Sequence, residues 1–196
     1  TYRGFYDRFR GRIMFPIFDG ASRVIAFSGR IFGKDDSDSA KYLNSPETEL
    51  FKKSEILYGY QRAKIGIRRL GFFILVEGQM DLLMSHQAGF DNTVATSGTA
   101  LTPGHIELLK RLSPNFIIAY DNDEAGLRAS LKAFMLGLAS SLVIKVAKIS
   151  ESKDPADLIK SDKEAWKTAI INAKHIVSVA FDTLLGQKLS QEKLVS

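Results

Sequence analysis

The chain has 196 residues, of which 45% are hydrophobic and 25% charged, the make-up of a soluble globular protein with one large or two small domains. It has no cysteine, no apolar run of transmembrane length and no leading secretory or transit signal, which excludes disulfides and thiolate zinc sites and fits a cytosolic protein. The net charge of +5 is uneven: residues 1–70 hold 14 Lys+Arg against 8 Asp+Glu, and residues 71–196 hold 13 against 14. Such a split points to one surface for polyanions and another, with clustered carboxylates, for metal.

The chain starts at Thr1 without an initiator Met and ends in a polar stretch from Gln187 to Ser196, which reads as a piece of something longer. Two short β-rich runs, 12–17 and 23–30, flank the turn signal Asp19-Gly20 and predict a hairpin. Residues 34–40 read as a polar loop and 47–69 as one or two short helices ending in Arg68-Arg69. From Gly71 the rhythm changes to strand and helix in alternation. Strands are expected at 72–76, 93–95, 116–120 and 142–149. Helices are expected from Met80 to Gly89, from Pro103, over 125–138 with Leu127, Leu131, Phe134 and Leu138 inward, and over 155–160 and 162–186. This alternation predicts an α/β fold, α+β overall, with a largely parallel sheet covered by helices on both faces. The expected division is a basic mixed α/β subdomain at 1–70, a parallel-sheet domain at 71–160 and a helical segment at 161–196.

Acidic residues follow the predicted strands. Glu77 stands after Phe72-Phe73-Ile74-Leu75-Val76, with Gly78 free to turn the backbone into a helix. Asp121 and Asp123 follow Phe116 to Tyr120, and spacing of two in an extended segment puts both carboxylates on one side. Asp154, with Pro155 next, is placed to cap a helix, and Asp157 lies within its first turn. Carboxylates at the carboxyl ends of parallel strands meet in the crevice where such sheets bind ligands. An all-oxygen set there suits Mg²⁺, which takes one or two carboxylates and leaves room for substrate phosphates. The hydroxyl-rich loop Thr96-Ser97-Gly98-Thr99 would face the same crevice.

The first part carries cations. Arg8, Arg10 and Arg12 alternate and would share one face of a strand. Arg30 closes the next strand, Lys41-Tyr42-Leu43-Asn44 joins a cation, an aromatic and an amide, and Lys53 follows. Arg and Lys bind phosphates, and Tyr and Asn can stack on or hydrogen-bond to bases. His86, His105 and His175 lack metal-ligand spacing and read as structural, as does Trp166. Met80 and Met84 read as core, and Arg68-Arg69 as a solvated face.

Together these residues resemble the catalytic core of the bacterial-type DNA primase. Residues 6–17, Phe27-Ser28-Gly29-Arg30 and 41–48 are similar to primase-specific motifs, and Glu77-Gly78 with Asp121-x-Asp123 marks the wider Toprim family. The resemblance implies that Glu77, Asp121 and Asp123 are catalytic. It also implies that Glu77, Asp121, Asp123, Asp154 and, more weakly, Asp157 hold Mg²⁺, with Mn²⁺ able to substitute. Arg8, Arg10, Arg30, Lys41, Tyr42, Asn44 and Lys53 match positions that bind nucleotide phosphates, alarmone nucleotides or template. The implied activity is two-metal synthesis of short RNA primers on single-stranded DNA from ribonucleoside triphosphates, giving an RNA–DNA hybrid. The implied setting is the cytoplasmic replication fork, with no membrane partner, and with the replicative helicase bound through a domain outside this chain, as is the zinc-binding domain. Three departures stand out: Gln79 where an aromatic is usual, Asn122 in place of Gly, and Asp157 displaced by one position by Ala156. A Toprim nuclease or topoisomerase, or a non-catalytic nucleotide-binding module, are the competing readings.

Overall fold

A computed structural model describes residues 4, 6–33, 40–121, 124–149, 154–179 and 181. The chain opens with an antiparallel sheet of β1 (Arg12–Phe18), β2 (Val24–Ile31) and β3 (Tyr42–Asn44), in that order. The expected hairpin forms around Asp19, whose Oδ1 accepts the N–H groups of Ala21 and Arg23, and a register shift falls between Ile17 and Phe18. Strand β3 was not expected; it exists because Tyr42, Leu43 and Asn44 find partners in Arg30, Gly29 and Ser28. The predicted loop at 34–40 lies outside the described residues except for Ala40.

Between the sheets the structure differs from expectation. Residues 45–59 are turns and extended backbone rather than helix. The Thr48 hydroxyl accepts the N–H groups of Leu50 and Phe51, and Tyr58 forms a single bridge to Ala95. This packs Phe51 and Leu57 inward without a helix. Helix α1 (Tyr60–Leu70) begins only after Gly59, which takes φ 79°, and Arg69 holds Asp91 through two bonds of 2.8 and 2.9 Å.

The second sheet contains β4 (Phe73–Val76), β5 (Thr93–Ala95), β6 (Asn115–Ile118), β7 (Val143–Val146) and β8 (Lys174–His175). Their order is β5-β4-β6-β7-β8, all parallel except β8, which pairs antiparallel with β7. The helices are α2 (Gln79–Gln87), α3 (Pro103–Lys110), α4 (Glu124–Ala139), α5 (Pro155–Ser161) and α6 (Lys163–Ile171). Strand residues alternate between two apolar layers. Phe73, Leu75, Phe116 and Ile118 pack with α1, α3 and α4. Ile74, Val76, Ile117 and Ala119 pack with α2, α5 and α6. The fold class is therefore as expected, with parallel strands buried on both faces.

Two expectations at the carboxyl side change. The anticipated helix 162–186 is interrupted, because the chain leaves α6 and adds β8 as an edge strand; its part beyond residue 181 lies outside the described residues. On α4, Leu131 and Leu138 are exposed at 46% and 56%. The inward positions are taken by Ala133 and Phe134, while Gly137 admits the Ile144 side chain closely.

Candidate active site

Strand order places the site. From β4 the chain crosses to β5 on one side, and from β6 it crosses to β7 on the other. Between β4 and β6 the connections therefore diverge, leaving an open crevice at the carboxyl ends of the strands. Glu77 follows β4 and Asp121 lies just beyond β6, one on each side of this switch point. The Glu77 carbonyl accepts the Ser97 N–H at 2.8 Å, which fixes the loop after β5 alongside it. Tyr120, buried beside Glu77, has its hydroxyl pKa raised, first by burial and then by that carboxylate, so it stays neutral.

A second acidic layer comes from two helix starts. Asp81 is buried, and its Oδ2 accepts the Gly78 N–H at 2.9 Å while its Oδ1 accepts the Ala156 N–H at 3.1 Å. Its carboxyl pKa is pushed up to about 6, by burial above all; the two N–H donors pull it down, and the Asp154 and Asp121 charges raise it further. Asp154 caps α5 as expected, its Oδ1 accepting the Asp157 N–H at 2.7 Å. Asp157 is exposed at the rim.

Facing these acids is the first sheet. Ser28 and Arg30 share one side of β2 and stand opposite Asn44 and Tyr42. The Arg30 guanidinium lies 5.6 Å from the Tyr42 ring centroid, and its Nη1 donates to the Tyr42 hydroxyl at 3.4 Å. The Tyr42 pKa is raised by burial; Arg30 opposes this and the Asp81 and Asp154 charges add to it. The two walls enclose a crevice of about 680 Å³. Lined by Arg30, Lys41, Tyr42 and Asn44 on one side and Glu77, Asp81, Asp121, Asp154 and Asp157 on the other, it also includes Ser97 and Gly98, as the sequence predicts.

Not every sequence candidate reaches it. Arg8 and Arg10 are exposed in a turn before β1, set by the Phe9 N–H bonding to Asp7 Oδ1 and by Gly11 at φ 60°; only Arg12 enters the strand, so the three do not share a face. Arg8 touches the Asn44 carbonyl at 3.4 Å. Arg12 is spent on the carbonyls of Gly29 and Ala40. Lys53 lines a water-sized pocket of about 10 Å³ beside the crevice, which shares Asn44 and Ser97 with it. Asp123 lies outside the described residues.

Met80 and Met84 both line the crevice, and Met84 also packs against the apolar layer beneath α2, as a core residue would. Lys160, Asp81 and Gln79 also line it; none was among the sequence candidates, and Gln79 stood out only as a departure from the family pattern. None of the histidines lines the crevice, nor does Trp166. His86 bonds the Thr93 carbonyl, buried His105 bonds that of Lys53, His175 is exposed on β8, and Trp166 is fully buried against Phe90.

The donor set fits a hard divalent cation. It is all oxygen, and the Asp154 and Asp121 charges add to the raised pKa of Asp81, so negative charge is concentrated there. Among the described residues no three His, Asp or Glu side chains converge tightly enough to hold an ion alone.

A parallel sheet with acids at its switch point, joined to a basic antiparallel sheet, defines the class as a Toprim-type domain with an attached cationic wall. Residues 1–64 match the family described as DNA primase catalytic core, N-terminal domain, and residues 74–159 match the Toprim-like family. The DNA primase of Clostridium acetobutylicum is 44% identical over 176 residues, 88% of this chain and 28% of that protein. The crystal structure of the Aquifex aeolicus primase, with its zinc-binding and RNA polymerase domains, superposes with a TM-score of 0.84 at 38% identity, over 99% of this chain and 46% of that one. A primase catalytic domain bound to single-stranded DNA does so with a TM-score of 0.83 at 38% identity, over 93% and 58%. The chain belongs to the bacterial-type DNA primase family and carries part of its catalytic core with the Toprim domain. It spans less than a third of the length of the curated Clostridium relative. Toprim primases as a family are metal-dependent. No described helix is long and apolar enough to cross a membrane.

Proposed function

We propose that this chain is the nucleotidyl-transfer part of a DNA primase, which joins ribonucleotides into a short RNA primer on a single-stranded DNA template at the replication fork. The observation that carries this reading is one crevice with carboxylates on one wall and Arg30, Lys41, Tyr42 and Asn44 on the other. A cleavage enzyme of the wider Toprim class needs no cationic wall for a triphosphate, so the wall favours synthesis over hydrolysis. The related catalytic domain bound to single-stranded DNA supports a template of that kind.

Glu77, Asp121, Asp123 and Asp154, with Asp157 at the rim, would hold Mg²⁺, or Mn²⁺ in its place. Bound there, the metal supplies charge neutralisation at the triphosphate and a lowered pKa for the attacking 3′-hydroxyl. The protein's own contribution is positioning. Arg30, held against the Tyr42 ring, presents a fixed fork to phosphate oxygens. Lys41 and Lys53 add charge for phosphate, Arg8 and Arg10 extend the basic surface towards template, and Asn44 and Tyr42 offer a hydrogen bond and a stacking face to a base. No side-chain nucleophile is required.

The test is a crystal soaked with Mn²⁺ and a ribonucleoside triphosphate, read by its anomalous difference map. Peaks beside Glu77 and Asp121 with the triphosphate against Arg30 or Lys41 are expected. Metal without nucleotide would return the chain to the wider Toprim class, and no metal would favour a binding module.

A further inference from the structure

Gln79 stands at the first position of α2, two residues after Glu77, and is only 3% exposed. Its Nε2 donates to the Ser28 hydroxyl at 2.9 Å and to the Ser97 hydroxyl. A glutamine amide has two N–H donors, and here both are used: one crosses to β2 of the basic sheet, the other reaches the loop after β5. Ser28 is fully buried, stands directly opposite Asn44 in the sheet register and lies two positions before Arg30, which is itself opposite Tyr42. A hold on Ser28 is therefore a hold on the sheet face that presents Arg30, Tyr42 and Asn44. At the other end Ser97, at φ 56°, bonds through its main chain to the Glu77 carbonyl. One side chain thus ties the cationic wall to the loop that braces the first carboxylate.

We propose that Gln79 is a positioning residue that sets the gap between the cationic and acidic walls, and through it the affinity for a nucleoside triphosphate. The second part rests on the nucleotide reading above; the first does not. Replacing the amide with an apolar chain of the same length leaves the buried Ser28 hydroxyl and the half-buried Ser97 hydroxyl without that donor and frees the sheet to shift. Ser28 does not itself line the crevice; its hydroxyl meets Gln79, which does.

The test uses Gln79→Met, Ser28→Ala and the double variant, read by amide hydrogen exchange and by Mn²⁺-dependent binding of a ribonucleoside triphosphate. Each single change should speed exchange at 42–44 and 96–98 about ten-fold, the loss of roughly one hydrogen bond, and weaken triphosphate binding by a similar factor. Exchange at 115–118 in β6 and the affinity for Mn²⁺ alone should stay unchanged, and the double variant should be no worse than either single one. Unchanged exchange at 42–44 and 96–98, or acceleration that includes β6, would overturn the clamp. Local acceleration with unchanged triphosphate affinity would overturn its role in binding. A parent chain that binds Mn²⁺ but no triphosphate would count against the nucleotide reading, while the exchange data would still decide the clamp.

Discussion

The Asp81 carboxylate accepts the main-chain N–H of Ala156 at 3.1 Å, so a buried acid at the start of α2 is bound to the start of α5, 75 residues away in sequence. Its pKa is raised to about 6 from an ordinary 3.8, chiefly by burial. A carboxyl whose folded value lies above its unfolded one contributes stability that is fully present below about pH 4 and is lost as pH rises through about 6. The size is roughly 2 to 3 kcal/mol. Denaturant unfolding of the parent and Asp81→Asn at steps from pH 4 to 7 should give a stability difference that changes by that amount. A difference constant with pH would rule the assignment out.

Gly126 opens onto Asp121. A Cβ there would come within 2.0 Å of the Asp121 carbonyl oxygen, a backbone atom that cannot swing aside. Gly126→Ala should destabilise the chain by about 1–3 kcal/mol and, by moving Asp121, weaken Mn²⁺ binding. Gly137→Ala is the control. Its Cβ would meet the Ile144 side-chain end at 2.1 Å, and neither residue lines the crevice, so thermal melts should show lost stability with metal affinity intact.

Lys41 is exposed at the mouth of the cationic wall. Lys41→Ala should weaken single-stranded DNA or triphosphate binding and lower the slope of log affinity against log salt by about 0.7 for a single strand. Arg30→Lys keeps the charge but loses the fork and the stacking on Tyr42. It should therefore weaken binding while leaving that slope nearly unchanged. Fluorescence anisotropy across a salt series separates the two; equal slopes for both variants would remove Lys41 from the phosphate path.

The strands carrying Glu77 and Asp121 are legible in sequence because fully buried parallel strands read as unbroken apolar runs. Gly78 and Asp154-Pro155 announce helix starts through local chemistry. What the chain hides is set at long range. Strand β3 is three residues long and exists only by pairing with β2. Strand β8 has two residues in a stretch with helical periodicity. The alternation of Arg8, Arg10 and Arg12 mimics a strand face, but the Asp7 side chain and Gly11 turn the backbone before β1 begins. Asp81 reads as one more polar helix residue until α5 folds against it. Gln79 gives no local sign that its partners are hydroxyls on β2 and the loop after β5. Lys160 faces the crevice only because α5 packs beside α2.

His105 supplies a pH dependence of the opposite sense. It is fully buried, and its Nε2 bonds the Lys53 carbonyl at 2.8 Å. Its pKa is lowered from the ordinary 6.5 by burial, with the carbonyls of Lys53 and Ile56 pulling the other way. The unfolded chain takes up a proton near pH 6.5 while the folded chain resists it. The contribution is thus present above pH 6.5 and is lost as pH falls through the depressed folded value, with a slope of at most about 1.4 kcal/mol per pH unit. His105→Gln should be less stable than the parent at pH 8, where it loses the fitted ring, and the gap should narrow towards pH 5. Asp81 acts oppositely between pH 4 and 6, so the parent profile alone would blur the two. Melting series on the single variants resolve them. If the His105→Gln gap stays constant from pH 8 to 5, burial is not holding that imidazole neutral.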